Sequence, residues 1–261
     1  MNGELRLGIV LLVPILLMPF ASLFGPDHNR MEAADRFLPP GIERPAGTDN
    51  FGRDVLARVL AGSRQTLVLA LLVVTSSLAL GTALGLVAGY LGGIADELVM
   101  RVMDAVSSFP GILFALVMVA LLGNGQGTLL LALAVLFVPS FTRLARGGTL
   151  ACRDADFVLA EKLLGCGLPR ILFVHVLPNL KGSLLPAAAI GLSNAILAES
   201  AMSYLGLGIQ PPEPSWGRML AEAQIFLYDA PWCALAPGLA VMLTAVGFHC
   251  LGNGLRRKFG G

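Results

Sequence analysis

Residues 156–179 read D-F-V-L-A-E-K-L-L-G-C-G-L-P-R-I-L-F-V-H-V-L-P-N. This segment carries charges and helix-forming residues, and it lies between hydrophobic runs long enough to cross a bilayer. A helix needs about 20 apolar residues to span the hydrocarbon core. Because connections between spans are usually short, a long loop with a helical pattern predicts a docking surface for a soluble partner.

The composition is that of a membrane protein. Of the 261 residues, 56% are hydrophobic and 13% are charged, and the mean hydropathy is +0.77. Soluble domains carry more charge. We therefore predict an all-α integral membrane protein with six transmembrane helices and both termini on the same side. We expect the first apolar run to be a retained span and not a cleaved signal peptide. The apolar stretches are 7–24, 66–90, 102–122, 128–142, 184–205 and 232–252.

The distribution of Lys and Arg predicts the orientation. With the N-terminus in the cytoplasm, eleven basic residues lie inside and seven outside. Six of those seven lie in the long 25–64 loop beside six acids, and long, neutralised loops cross a membrane with little regard to charge. The basic tail, Arg256, Arg257 and Lys258, then predicts that both termini lie in the cytoplasm (N-in and C-in), together with the 147–183 loop.

Several classes of function find no support in the sequence. A net charge of +1 predicts no nucleic-acid partner. The four cysteines have neither CxxC nor Cys/His ligand spacing, so no metal site is expected. No G-x-x-x-x-G-K-[ST] phosphate loop occurs. We therefore expect that this chain binds no cofactor, is not an enzyme, and receives the energy for any work from a partner.

The second span carries Gly81, Gly85 and Gly89 at four-residue spacing. Glycines at this spacing clear one helix face for the close approach of a neighbouring backbone. The pattern predicts packing within this subunit or across a dimer, and a direct role in a substrate path is the weaker alternative.

The stretch before the second span has an amphipathic pattern. Asp49 and Gly52 are predicted to start a helix that includes Asp54 and runs to about residue 64. Its polar positions are Arg53, Arg58 and Arg64, and its apolar positions are Val55, Leu56, Val59 and Leu60. Such a helix can lie in the membrane interface plane, where it would contact lipid. We predict an interfacial helix here.

Two short helices are predicted within the cytoplasmic loop. Asp154 or Asp156 can cap the first, which runs to about Leu164. Glycines 165 and 167 suit its left-handed end. A second short helix is predicted to begin at Pro169 and to stop at Pro178.

One face of the first loop helix is apolar. Phe157, Ala160 and Leu164 share this face by their three- and four-residue spacing, and Glu161 and Lys162 lie beside it. An exposed amphipathic helix held between two spans can pass a displacement caused by a bound partner on to those spans. Periodicity alone leaves open an interfacial helix that merely caps the bundle.

The fifth span contains polar residues that are costly in a membrane and therefore often functional. Glu199 is the clearest of them, and Asn194 and Ser203 belong to the same polar stripe. The stripe predicts either a contribution to a substrate pathway or an interhelical hydrogen bond.

The loop also resembles a known motif. It is similar to the EAA loop of binding-protein-dependent ABC importer permeases: Gly165 and the V-H-V-L-P of residues 174–178, which includes Leu177 and Pro178, resemble the pattern. Leu159 stands where the family has Glu, and Glu161 stands where it has Ala. The resemblance implies that the loop, with Ala160 in its helix, docks in a groove of the ATPase. The candidate acids for polar contacts are Asp156 and Glu161.

Three further stretches resemble the dipeptide/oligopeptide/nickel permease group, in particular its "C"-type member. They are G-T-D-N-F-G-R-D-V-L-A-R-V-L-A-G-S-R (47–64), S-Y-L-G-L-G-I-Q-P-P-E-P-S-W-G (203–217) and G-N-G-L-R (252–256). In the outer loop that contains the second stretch, Ser215 can cap a short helix. The resemblance implies that this loop faces the substrate or its binding protein, and a structural lid over the bundle is the alternative.

The resemblance implies a type I ABC importer transmembrane domain in a bacterial inner membrane. Residues 1–65 would form the first span and an outer loop with the interfacial helix, and residues 66–256 would form the conserved five-helix domain. The implied partners are a homologous permease subunit, two ABC ATPase subunits and an extracytoplasmic substrate-binding protein. The cargo would be dipeptides, oligopeptides, nickel or metal chelates. An ion-coupled secondary transporter is the alternative, although such a protein needs no docking loop.

Overall fold

The computed structural model describes residues 3–259, which are almost entirely helical. Short 3₁₀ turns lie at Ala33–Asp35 and Gln224–Phe226, and a π-helical segment lies at Ile171–Val176. The α-helices are α1 Gly3–Ala21, α2 Val55–Leu91, α3 Gly93–Ser108, α4 Gly111–Leu122, α5 Gln126–Cys152, α6 Asp156–Leu163, α7 Leu168–Arg170, α8 Leu177–Tyr204, α9 Trp216–Ala223 and α10 Trp232–Phe259.

Five uninterrupted helical rods in residues 3–259 are long and apolar enough to cross a membrane. They are α1, α2, α5, the 37-residue rod Leu168–Tyr204 that joins α7 to α8, and α10. The predicted third span, 102–122, is wrong as a single helix, because α3 and α4 meet at an angle of 91°. The break follows from Pro110, which disfavours a helical conformation at Phe109; Phe109 is extended, with φ −83° and ψ 132°. If α3 and α4 are counted together as one bent span, residues 3–259 contain six candidate spans.

The predicted glycine packing is confirmed within this chain. A Cβ atom at Gly81 would lie 2.8 Å from the Phe141 Cβ atom, and one at Gly89 would lie 2.8 Å from the Arg146 carbonyl oxygen. A Cβ atom at Gly85 would lie closer still to the backbone of α5, at the Thr142 carbonyl oxygen. Hence α2 and α5 approach each other at a distance that no larger side chain would permit.

The remaining helices complete a bundle in which α8 packs on α10 and α10 packs on α1. Its main core includes Val73, Leu133, Ile196 and the indole of Trp216. A smaller second core lies at the loop end of the bundle and joins α6 to the ends of α2, α5 and α8; its buried members are Leu86, Ala145, Val158, Ile171, Leu172, Val176, Leu180 and Leu184.

The predicted interfacial helix over residues 49–64 is wrong. Helix α2 begins only at Val55 and continues without a break to Leu91. The boundary expected at residues 65–66 therefore falls inside a helix. At about 1.5 Å per residue, 37 residues extend about 55 Å, so the first turns of α2 project beyond a core of about 30 Å.

Candidate functional site

Helix α6 is held at its end by backbone geometry. It begins at Asp156, but Ala155 is the N-cap residue and no side chain caps it, so the predicted Asp154 or Asp156 cap is wrong. At its C-terminus, Gly165 takes the predicted left-handed conformation, with φ +76°. The Cys166 N–H donates to the Glu161 carbonyl at 3.0 Å, the closure typical of a glycine-terminated helix. The expectation for Gly167 is wrong, because its φ is −67°.

The second loop helix starts as predicted, with Pro169 in the first turn of α7. Pro178, however, does not stop it: the helix continues through the π-helical segment into α8, and Pro178 lies in the first turn of α8. A proline interrupts a helix because it has no N–H for the carbonyl four residues before it. Here the Leu177 N–H donates to the Leu172 carbonyl, five residues back, and this wider turn accommodates the proline.

Helix α6 turns its apolar side chains outward. Val158 alone is buried, in the second core. The predicted shared face of Phe157, Ala160 and Leu164 lies at the surface, and Leu163 and Leu164 are 89% and 78% exposed. We call this surface the α6 face; its members are Phe157, Leu159, Ala160, Leu163 and Leu164. Contiguous exposed apolar side chains of this kind mark contacts with another molecule.

The two candidate acids of the loop are placed differently. Asp156 is exposed at the start of α6. Glu161 turns inward: the Cys166 thiol donates to its Oε2 atom at 2.9 Å, and its Oε1 atom lies 3.6 Å from the His175 Nδ1 atom. This hydrogen bond raises the pKa of the Cys166 thiol. Glu161 therefore joins α6 to the π-helical segment. The sequence did not predict these contacts, because Cys166 and His175 lie five and fourteen residues after Glu161.

The opposite end of the bundle, called the outer end after the predicted orientation, contains buried charges, here named the outer ionic cluster: Asp49, Arg53, Arg58, Arg218 and Glu222. Arg53 and Arg58 are 5% and 2% exposed. The Arg53 Nε atom lies 2.7 Å from the Asp49 Oδ2 atom, and an Nη2 atom of each of the two arginines lies 3.3 Å from the Glu222 Oε2 atom. The sequence had suggested a polar helix face for these arginines, but α9 supplies their counter-charge and removes them from solvent.

The other residues of the predicted interfacial helix build the turn before α2. The Asp49 Oδ1 atom accepts hydrogen bonds from the Phe51 and Arg53 N–H groups, at 2.8 and 3.0 Å. Gly52 has φ +73° and lies against the Glu32 backbone. Asp54 is the N-cap of α2, since its Oδ1 atom accepts from the Ala57 N–H at 2.9 Å.

The outer loop is anchored to the bundle through α9. The predicted Ser215 cap is confirmed, since its hydroxyl accepts a hydrogen bond from the Arg218 N–H at 3.2 Å. The fully buried Trp216 donates through its Nε1 atom to the Val59 carbonyl at 2.9 Å. Gly217 lies so close to the Ser200 backbone that a Cβ atom would clash. The sequence analysis did not predict that Trp216 and Glu222 join α9 to α2, although it quoted the S-W-G motif of residues 215–217 in this loop.

The polar residues of the fifth span do not form one surface. Glu199 is fully buried; its Oε1 atom accepts from the Ser203 hydroxyl at 2.7 Å, and Thr66 on α2 approaches the same carboxylate. Asn194 is exposed. Five residues at 100° each place Asn194 about 140° around the helix from Glu199. Glu199 and Ser203 thus lie between helices of this chain, and a role of Asn194, Glu199 or Ser203 in a substrate pathway stays a prediction.

The geometry describes a multi-pass membrane protein that leaves an apolar helix face exposed at one end of its bundle. Residues 81–260 match the family model described as "Binding-protein-dependent transport system inner membrane component". The dipeptide transport system permease protein DppC of Alkalihalophilus pseudofirmus is 39% identical over 96% of this chain and 84% of its own length. The glutathione transport system permease protein GsiD of Pectobacterium atrosepticum is 37% identical over 92% and 78%.

A solved structure is also similar. A chain from inward-facing conformations of the MetNI methionine ABC transporter matches with a TM-score of 0.63 and 19% identity, covering 77% of this chain and 96% of that one. The likeness confirms the predicted ABC importer transmembrane fold. The chain belongs to the binding-protein-dependent transport system inner membrane component family, which confirms its prediction as a permease subunit of the bacterial inner membrane.

Proposed function

We propose that this chain is one of two homologous permease subunits of an importer for small peptides. In this proposal two ABC ATPase subunits dock at the loop end of the bundle, and an extracytoplasmic binding protein delivers the peptide at the other end. The α6 face carries the proposal, because it leaves large apolar side chains exposed on a short helix whose only buried side chain is Val158.

The proposed orientation of the chain in the membrane rests on the loop end of the bundle. The loop and the basic residues Arg256, Arg257 and Lys258 at the end of α10 are proposed to lie in the cytoplasm, which places both termini there. ATP and Mg²⁺ would be bound by the ATPases, and this chain would receive only their movement.

The packing of α6 supports a transmitting role. Val158 is buried among Leu86, Ala145 and Val176, which belong to α2, α5 and the rod that leads into α8. A displacement of α6 would therefore act on three spans at once. The continuous rod Leu168–Tyr204 would carry the movement to the outer end, where α9 packs on Ser200, and change the side to which the permease opens.

The substrate class is proposed from the relatives. The names of these relatives specify dipeptide transport for DppC and glutathione transport for GsiD, and both substrates are short peptides. We therefore propose a di- or tripeptide cargo in preference to nickel or a metal chelate. The transport domain would consist of α2 to α10, to which α1 is added.

Reconstitution tests this function. The chain would be coexpressed with the permease and ATPase proteins encoded beside it and placed in liposomes with the neighbouring binding protein. Uptake of labelled dipeptide should require ATP and survive a protonophore. Uptake by this chain alone, driven by an ion gradient, would instead support a secondary transporter.

A further inference from the structure

A groove of about 550 Å³ opens at the loop end of the bundle, between α5, α8 and α10. One face of α8 forms its floor, from Asn179 through Ser183 and Ala187 to Ile190. These positions follow the three- and four-residue spacing of a single helix face. Eleven residues at about 1.5 Å each give a length of about 16 Å, which is about half of a 30 Å hydrocarbon core. The groove therefore has the depth of one leaflet.

The lining of the groove changes along its length. Its mouth carries Asn179, Ser183 and Arg256, and its deeper part is lined by apolar residues: Leu144, Pro186, Ala187 and Ile190. Phe259 closes one side beside Gly182. A polar mouth above an apolar floor matches an amphiphile whose head group lies at the membrane surface.

The charge at the mouth is positive. Arg256 is the charged residue of the lining, and it is exposed; Lys258 lies next to the lining, over the Phe259 ring at 5.8 Å. Within residues 3–259, no carboxylate lies within 4.0 Å of Arg256 or Lys258. The adjacent Arg257 differs, because it pairs with Glu4 at 3.0 Å. Basic pockets between helices at the cytoplasmic surface suit anionic head groups.

We propose that this groove binds one anionic phospholipid, with its phosphate at Arg256 and one acyl chain along α8. The placement in the inner leaflet rests on the orientation proposed above. Binding of a lipid to the purified chain depends on neither orientation nor transport, so the two proposals can fail separately.

The test is a titration of the purified full chain with phosphatidylglycerol and with phosphatidylcholine of the same acyl chains, measured by native mass spectrometry. Phosphatidylglycerol should bind about fivefold more tightly, which corresponds to ~1 kcal/mol for one cation near a phosphate. Arg256→Gln should abolish this preference, and Arg257→Gln, the matched control outside the groove, should keep it. Ala187→Phe, which fills the floor, should weaken the binding of both lipids.

Three results would overturn the proposal. Equal binding of the two lipids would remove the role of charge, and an unchanged preference in Arg256→Gln would place the lipid elsewhere. A lipid that binds the single chain but is absent from the assembled transporter would show that the partner permease covers the groove.

Discussion

The two ends of this bundle differ in which side chains they bury: one end buries charged groups, and the other exposes apolar groups. At the outer end, charged groups are buried and paired within the chain: Arg53 and Arg58 reach Glu222 across 164 or more positions, and Trp216 fills the space between α9 and α2. At the loop end, apolar groups are exposed, and Leu163 and Leu164 have no packing partner that removes them from solvent.

This difference indicates where the chain is complete by itself. A buried charge costs several kcal/mol unless it is paired, and at the outer end Asp49 and Glu222 of the same chain pair with the buried Arg53 and Arg58. An exposed apolar helix face gains free energy only when another surface covers it. The outer end is therefore stabilised by contacts within the chain, whereas the loop end leaves an apolar surface uncovered, as the proposed docking of an ATPase requires.

The largest expected effect is the loss of a charge from the outer ionic cluster. Glu222→Gln would leave Arg53 and Arg58 buried with less counter-charge and should lower the free energy of unfolding by about 3 kcal/mol. Thermal unfolding of the purified protein measures this change. Glu213→Gln, at an exposed loop position, is the control and should have little effect. Equal stability of both variants would show that the cluster is not what holds α9 in place.

The next effect concerns the end of α6. Gly165→Ala places a side chain at φ +76° and should cost about 1 kcal/mol. Gly167→Ala is the matched control, because its φ of −67° suits any residue. The same unfolding measurement compares the two, and a larger loss for Gly167→Ala would contradict the left-handed end of the helix.

Polar substitution of the α6 face should separate binding from stability. Leu163→Lys with Leu164→Lys should change the free energy of unfolding by no more than about 0.5 kcal/mol, since both side chains are exposed and cations suit the C-terminus of a helix. Co-purification of the neighbouring ATPase should nevertheless be lost. If the ATPase is retained while the protein stays folded, the α6 face is not the docking surface.

The smallest effect lies inside the loop. In a variant whose other three cysteines are serine, Glu161→Gln should increase the alkylation rate of Cys166 by a few-fold near pH 8. The thiolate is the reactive form, and Glu161 raises the pKa of this thiol, so its removal increases the thiolate fraction below that raised pKa. At higher pH the two rates should converge. Asp154→Asn, at an exposed position, is the control and should alkylate at the original rate.

Much of the fold could be predicted because the relevant signals are local. Hydrophobic runs long enough to cross a bilayer identified the spans, Gly81, Gly85 and Gly89 identified the face of α2 that meets α5, and Ser215 identified the start of α9. The bend at Pro110 was missed, although the signal was present, because the apolar run continues on both sides of the proline.

The site was less predictable because its contacts join distant residues. The sequence by itself determined that residues 156–164 form an amphipathic helix ending at Gly165, since spacing and a glycine suffice for that. Only the tertiary structure decided that Glu161 turns inward to Cys166 and His175, and that Arg53 and Arg58 are buried against Glu222. The free energy of a charge depends on what surrounds it in three dimensions, and that surrounding exists only after the helices have packed.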